Sequence, residues 1–211
     1  AWAAPQAARL PAEDALSRAY FKLSEALDRS GAALAKGSLA LDAGAAPGGW
    51  TQLFVERGCA KVFAVDPAEL SLRSGAEVAV EHMQTPLVEA CAVLLERQRA
   101  GALPQLDALA SDMFLPAFRS AVRALAEDGA FALLRDGALV VVTVKGPEVA
   151  GHSKALFEDR IAPIVAEFSE VCERVQVFHL MANRELERTL LGYKRSGAGR
   201  APAATGGTDV G

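Results

Sequence analysis

The sequence predicts an α/β fold, a doubly wound sandwich of parallel strands and helices with a late antiparallel strand. Three observations predict it. Strand-like and helix-like segments alternate along most of the chain. The continuous apolar, β-branched run over 138–144 has the pattern of a central parallel strand buried on both faces. Two strand-like segments, 171–179 and 188–194, then follow each other across a short connection, as a closing hairpin does.

Each element has its own reason. Residues 1–12 read as an irregular lead-in. Residues 13–30 form a helix, because Ala15, Leu16, Ala19, Tyr20, Leu23, Ala26 and Leu27 make one apolar stripe, closed by Gly31. Strand one covers 39–42, a helix 50–57, strand two 62–65 and strand three 77–80. A helix over 86–100 stops at Gly101, and strand four over 106–110 ends at Ser111-Asp112. A further helix spans 116–127 and continues, kinked, past Gly129 to 135. Strand five, 138–144, leads to a helix over 153–168 and then to the two closing strands. One domain, 13–195, holds all of this. The segment 196–211 is rich in Gly, Ala, Pro and Thr and nearly uncharged, so it reads as a disordered tail.

The segment Leu41-Asp42-Ala43-Gly44-Ala45-Ala46-Pro47-Gly48-Gly49-Trp50 carries the most information. A strand stops at an acid, turns through glycines and opens a helix, the arrangement that brings a nucleotide-like ligand against bare backbone. Gly44, Gly48 and Gly49 lack the Cβ atoms that would block close approach, and Pro47 stiffens the turn. The spacing is neither that of a dinucleotide fingerprint nor that of a phosphate-binding loop with its Lys-Ser/Thr. A ligand with a ribose and an amino acid but no phosphate fits better, and S-adenosyl-L-methionine is the common one. Asp66-Pro67, at the end of strand two, lies roughly twenty residues further on, where an acid accepts both ribose hydroxyls. The alternative for Asp66 is an Asp-Pro turn.

Composition bounds the rest. With 211 residues, 51% hydrophobic and 23% charged, the chain suits one globular domain with a real core. Charges and glycines break every apolar stretch before it reaches membrane-spanning length, and the start has no signal-peptide pattern. The first residue is not Met, so the chain is read as processed, trimmed or part of a longer one. Cys59, Cys91 and Cys172 are odd in number and widely spaced, which suggests buried thiols in a reducing cytoplasm. His82, His152 and His179 show no metal-ligand spacing, so no metal is expected, and a monomer is expected. The net charge of −4 argues against tight, autonomous nucleic-acid binding, which rests on phosphate neutralisation.

Four ionisable residues do not fit a core. Lys145 ends the most hydrophobic strand, Asp112 ends strand four, Lys22 lies in the first helix and Glu187 precedes the last strand. Ligands of open α/β sheets bind beyond the carboxyl ends of the strands, so Asp112 and Lys145 would share a crevice with the glycine turn. For Lys22 and Glu187 taken singly, a solvated surface position is the plainer reading.

A resemblance joins these residues. Ser17-Arg18-Ala19-Tyr20-Phe21-Lys22-Leu23-Ser24-Glu25 resembles the opening Ser-Arg-x-x-x-Lys-Leu-x-Glu of FtsJ-like ribose 2′-O-methyltransferases. The run from Asp42 to Thr51 is similar to that family's cofactor turn, and Ser111-Asp112-Met113 and Val144-Lys145-Gly146 resemble its later motifs in order and spacing. The similarity covers 15–194. Val80-Glu81-His82-Met83 and the Arg-Glu-x-Glu-x-Thr approach to the last strand look closest to the branch acting on large-subunit ribosomal RNA.

The resemblance implies a Rossmann-like class I methyltransferase fold dependent on S-adenosyl-L-methionine, with RNA, ribosomal RNA or a ribosomal particle as partner. It also implies a catalytic tetrad of Lys22, Asp112, Lys145 and Glu187. Glu185 is the alternative for the fourth member, although the pattern Glu-x-Thr before an apolar strand favours Glu187. The cofactor-binding set carried over is Asp42, Gly44, Ala45, Ala46, Pro47, Gly48, Gly49, Trp50, Asp66, Pro67, His82, Met83 and Asp112. The chain departs from the family in two places: His82-Met83-Gln84 stands where an acid often meets the adenine, and Gly146-Pro147 replaces a more common aromatic or Leu-Pro segment.

Lys145 is the expected general base. It acts only when neutral, so its pKa must fall from about 10.4. Burial and the neighbouring Lys22 would lower it, while Asp112 and Glu187 would raise it. Arg18, Lys22 and Lys194 would contact phosphates. Trp50 or Tyr20 would stack on a base, or Trp50 would pack the turn against the core. Two rival readings are a non-catalytic RNA-binding scaffold with this fold and a haemolysin-like or small-molecule methyltransferase.

Overall fold

A computed structural model describes residues 15–73, 75–113, 120–146 and 154–198, with backbone alone at 154–156. The expected lead-in over 1–12 and the tail from 199 onward lie outside the described residues, and 196–198 form a turn. Among the described residues the elements run α1 (Ala19–Ser30), β1 (Leu39–Ala43), α2 (Gly49–Glu56), β2 (Lys61–Val65), β3 (Val80–Met83) and α3 (Leu87–Arg99). They continue with β4 (Leu106–Ser111), α4 (Ala121–Glu127), β5 (Leu134–Lys145), α5 (Lys154–Val171), β6 (Cys172–Phe178) and β7 (Glu187–Lys194).

The seven strands form one sheet in the order β3-β2-β1-β4-β5-β7-β6. The first five run parallel, and β7 lies antiparallel to β5 and β6. The strand order reverses between β1 and β4, so a crevice opens beyond their carboxyl ends. The two-residue periodicity of the strands distributes their side chains to two apolar layers. Leu41, Phe63, Val140 and Val142 meet α3, α4 and α5 on one face. Ala40, Val62, Ala64, Val141 and Leu191 meet α1 and α2 on the other. Both layers are closed, which is why β5 is apolar at every position from Ala138 to Val142.

Four boundaries differ from the sequence reading. The first helix starts at Ala19, not at 13, because the amide of Leu16 donates to Gln52 Oε1 at 3.0 Å and ties the preceding residues to α2. Residues 13 and 14 lie outside the described residues. Strand three runs Val80–Met83, three residues later than expected. Glu77 lies in a turn, its Oε2 accepting from the Gly75 amide at 2.7 Å, so His82 and Met83 are themselves in the strand.

The fourth helix is described from Ala121 only. Ser120 caps it with an extended backbone, and 116–119 lie outside the described residues. Its expected continuation is instead a single 3₁₀ turn, Ala130–Leu133, after the left-handed Gly129. β5 begins at Leu134, earlier than expected, and a bulge carrying Gly137 at φ 73° separates the pairings Leu106↔Leu134 and Ala108↔Leu139.

Candidate active site

The turn after β1 is pinned to the end of β2. The amides of Gly44 and Ala45 donate to the Val65 carbonyl at 2.9 and 3.1 Å. Asp66 accepts the Ala46 amide at 3.1 Å with one carboxylate oxygen and the Ala68 amide at 2.8 Å with the other. Asp66 thus forms the Asp-Pro turn and also braces the glycine turn; each oxygen retains a further lone pair. The Ala46–Pro47 peptide is cis.

Gly48 sits at φ 124°, where a Cβ would stand 2.4 Å from the Ser71 carbonyl oxygen. A Cβ on Gly49 would stand 2.1 Å from Ser17 Oγ and 2.9 Å from the Tyr20 amide, so the starts of α1 and α2 touch through this glycine. Trp50 closes the joint: it is buried and its indole N–H donates to the Ala19 carbonyl at 2.5 Å.

The four ionisable residues converge beyond the strand ends. Asp112 follows β4 and Lys145 ends β5. Because β7 runs antiparallel, its first residue arrives at the same edge, and Glu187 pairs in register with Lys145. α1 crosses above with Lys22, 4% exposed, turned inward. Lys22 Nζ lies 2.8 Å from Glu187 Oε2 and 3.1 Å from Asp112 Oδ1. Lys145 Nζ lies 3.2 Å from Asp112 Oδ1 and donates to the Asp112 backbone carbonyl.

Burial alone would raise the Glu187 carboxyl. Hydrogen bonds from Lys22 and from the Arg184 amide, at 3.0 Å, outweigh it and hold the group below the usual carboxylate range. Glu185 takes no part in the cluster; its backbone carbonyl accepts from Arg188 at 3.1 Å. Asp42 lies alongside, 1% exposed, accepting from Thr51 Oγ1 at 2.6 Å. Burial pushes its carboxyl up to about 7; the Thr51 hydrogen bond opposes the rise and the charge of Asp112 adds to it.

These groups wall one cavity of about 600 Å³. Asp42, Gly44, Ala45, Ala46, Pro47, Gly49 and Trp50 form one side, and Lys22, Asp112, Lys145 and Glu187 the other. Asp66, Pro67, His82 and Met83 stand apart from it at the ends of β2 and β3, and Gly48 lies behind the turn against Ser71. His82 Nε2 lies 3.3 Å from the Asp66 carbonyl oxygen, so it braces the loop that carries Asp66.

Four expectations about RNA contacts fail, the first being Lys22, which is buried between Glu187 and Asp112 and not turned out to a phosphate. Trp50 and Tyr20 are 2% and 4% exposed, and Tyr20 hydrogen-bonds Glu56 at 2.8 Å, so neither ring can stack on a base. Lys194 is buried at the opposite end of β7, donating to the Leu134 carbonyl at 2.8 Å. The sequence reading missed Ser17, Arg184 and Leu186 as cavity walls. Ser17 Oγ is buried with no hydrogen-bond partner there. The first helix's Ser-Arg start was the available signal for Ser17; Arg184 and Leu186 lie in a loop with no periodicity to read. Among the described residues no group of three or more His, Cys, Asp or Glu side chains is placed to hold a metal, and no helix is long and apolar enough to cross a membrane.

This strand order and this crevice define a Rossmann-like, class I methyltransferase sandwich. The FtsJ-like methyltransferase family model matches residues 15–146, and the chain belongs to that family. A ribosomal RNA large subunit methyltransferase E of Acidiphilium cryptum is 42% identical over 78 residues, covering 35% of this chain and 34% of the relative. The chain matches only 23% to 38% of the length of such curated relatives. Among solved structures, a hemolysin candidate of Lactococcus lactis superposes with a TM-score of 0.64 at 19% identity, covering 89% of this chain and 91% of that one. A SAM-dependent O-methyltransferase of Thermotoga maritima superposes with a TM-score of 0.53 at 12% identity, covering 88% and 66%. These likenesses show the fold.

Proposed function

We propose that the chain is an S-adenosyl-L-methionine-dependent ribose 2′-O-methyltransferase acting on RNA, ribosomal RNA being the substrate class its curated relatives are named for. The walls of the cavity suit the cofactor. The glycine turn offers backbone without Cβ atoms, Asp42 offers a carboxylate for an ammonium group, and Ser17 Oγ is a buried hydroxyl without a partner. Asp66 stands apart from the cavity at the end of β2, and its spare lone pairs would suit ribose hydroxyls that reach it. When bound, the cofactor supplies an electrophilic methyl group on a sulfonium.

Lys145 is the general base of this reading, and its geometry is the observation that carries it. A neutral amine keeps two N–H bonds. Asp112 offers two acceptors to Nζ, its carbonyl and its carboxylate. With both N–H bonds so held, the lone pair is left to take the proton of a ribose 2′-hydroxyl. With Lys145 in the neutral form that a base requires, the cluster would hold one cation, Lys22, against the carboxylates of Asp112 and Glu187. After the transfer it would hold two, so proton uptake balances the cluster's charge. Positioned general-base help is typically worth about 10²–10⁴-fold.

Lys145→Ala is expected to abolish methyl transfer and leave cofactor affinity within about threefold, since Asp42, Ser17 and the turn are untouched. Calorimetric titration with S-adenosylhomocysteine measures binding. Mapping of 2′-O-methyl groups on ribosomal RNA from a strain lacking the gene, offered naked or as ribosomal particles, measures transfer. Near-normal turnover by Lys145→Ala would remove the lysine from the mechanism.

Cys59, Cys91 and Cys172 are all buried and unpaired, and burial pushes their thiols up to about 11, 12 and 12. Inert thiols of this kind support a reducing, cytoplasmic setting.

A further inference from the structure

Beside the cavity lies a second, shallower concavity of about 320 Å³, formed by Arg18, Phe21, Ser24 and Glu25 of the first helix region and by Met181 and Ala182 of the β6–β7 loop. Arg18 is exposed and lines both spaces, so the two adjoin across this side chain. Met181 is 91% exposed, the most exposed of the large apolar side chains. Its position is nevertheless built. Its amide donates to Glu25 Oε2 at 2.9 Å, Arg29 donates to the neighbouring His179 carbonyl at 3.3 Å, and Asn183 Oδ1 accepts the Leu180 amide at 2.7 Å. Glu25 is also paired with Arg29 at 3.2 Å, so the loop is clamped by a neutralised acid. The fold thus holds a thioether out into solvent opposite the half-buried Phe21.

We propose that this groove receives the unpaired nucleobase next to the nucleotide whose ribose enters the cavity, sandwiched between Phe21 and Met181, with Arg18 on the phosphate between them. The inference rests on the reading of the chain as an RNA methyltransferase and adds the recognition element that the buried Trp50 and Tyr20 do not supply. An apolar slot faced by an aromatic ring and a polarisable sulfur suits the flat face of any base. The guanidinium at the shared rim suits a phosphate oxygen. Because Arg18 borders both spaces, the nucleotide that reaches the slot is the neighbour of the reacting one and not a distant one.

The test uses the full chain and an oligoribonucleotide spanning the mapped methylation site, with and without an abasic residue on either side of the target. Met181→Ala, a fully exposed change, is expected to leave the thermal midpoint unchanged and kcat within twofold. It should raise KM about tenfold, the loss of one base-stacking contact. Phe21→Leu should act in the same direction. Removing one flanking base should cost the wild type a similar factor and cost Met181→Ala nothing further. An unchanged KM for Met181→Ala, an equal abasic penalty in both proteins, or an effect seen only on ribosomal particles and not on the oligonucleotide would overturn the proposal. If the wild-type chain transfers no methyl group to any RNA, it is the functional reading that fails.

Discussion

Lys22 ties α1 to the sheet through charge alone, so its removal has a calculable cost. The Lys22 and Glu187 side chains are 5% and 7% exposed, with Nζ and Oε2 at 2.8 Å. Lys22→Met deletes the cation and leaves a buried carboxylate, a loss of about 3–5 kcal/mol for a pair of this kind. The lower end applies. Glu187 keeps the Arg184 amide at 3.0 Å and the Asn183 amide group at 3.4 Å, and Asp112 keeps Lys145 at 3.2 Å. A loss of about 3 kcal/mol corresponds to a fall of roughly 6–12 °C in Tm for a chain of this size. Lys22→Met/Glu187→Leu removes both charges and should return to within about 1 kcal/mol of wild type, because desolvating an ion pair offsets most of its attraction.

Urea unfolding of Lys22→Met, Glu187→Leu and the double variant at pH 7 closes the cycle, and methyl transfer should be lost in all three. The pH dependence adds a sign. The Glu187 carboxyl is held low in the folded state, so its contribution is present above the unfolded value, near about 4.3, and is lost as pH falls through the lower folded value. The double variant lacks that acid limb. A single variant costing under about 1 kcal/mol, or a double variant as unstable as the two singles summed, would refute the picture of a cluster kept for chemistry at no net gain in stability.

The remaining predictions concern the glycine turn. Asp42 titrates at about 7 in the fold against an ordinary value of 3.8, so the native state holds the extra proton and its stabilising effect, complete below 3.8, disappears as pH rises through about 7. Asp42→Asn, which still accepts from Thr51, should therefore raise Tm at pH 8 relative to wild type, leave it nearly unchanged at pH 4, and weaken S-adenosylhomocysteine binding in calorimetry; equal Tm differences at both values would count against it. Gly48→Ala should cost at least about 2 kcal/mol in urea unfolding, from backbone strain at φ 124° plus collision with the Ser71 carbonyl. Gly75→Ala, at φ 90° with nothing within 4 Å, isolates the strain alone, and equal losses in the two variants would remove the collision from the account.

How much of this was readable follows from what each signal encodes. Short continuous apolar runs marked β1, β2, β4 and the core of β5, because burial on both faces acts on nearly every residue of a central strand. The turn was readable because three glycines and a proline in ten residues have few other uses. Where single tertiary hydrogen bonds decide, the sequence is silent. The apolar stripe of the first helix continues back to Ala15, yet Gln52 takes the Leu16 amide and the helix starts later. The Glu77 carboxylate folds back on Gly75 and delays β3.

The same limit explains two lysines of interest. Lys145 and Lys194 each end an apolar strand in sequence, and the direction of β7 sends them to opposite ends of the sheet. The first residue of β7 meets Lys145 in register, whereas Lys194, seven residues on at roughly 3.4 Å each, reaches the opposite edge and satisfies the Leu134 carbonyl. Antiparallel placement of one late strand therefore also selects Glu187 over Glu185.

On the function proposed above, an acidic chain has to handle a polyanion, which poses a physical problem, and the site's construction suggests how it would be met. Phosphate neutralisation normally supplies most of the affinity for RNA, in proportion to the cations engaged. Here two of the nearby lysines are spent inside the catalytic cluster and a third in the far edge of the sheet. The net charge of −4 leaves no general attraction to replace them. Arg18 and Arg184 line the cavity wall, cations too few to hold a polyanion tightly. Binding by the described part of the chain must then draw on contacts that do not depend on charge. The slot between Phe21 and Met181 is such a contact, and it recognises a base only when that base is unstacked. A strand already opened is accordingly the form of RNA this surface can accept, which ties substrate choice to the state of the RNA as much as to its sequence.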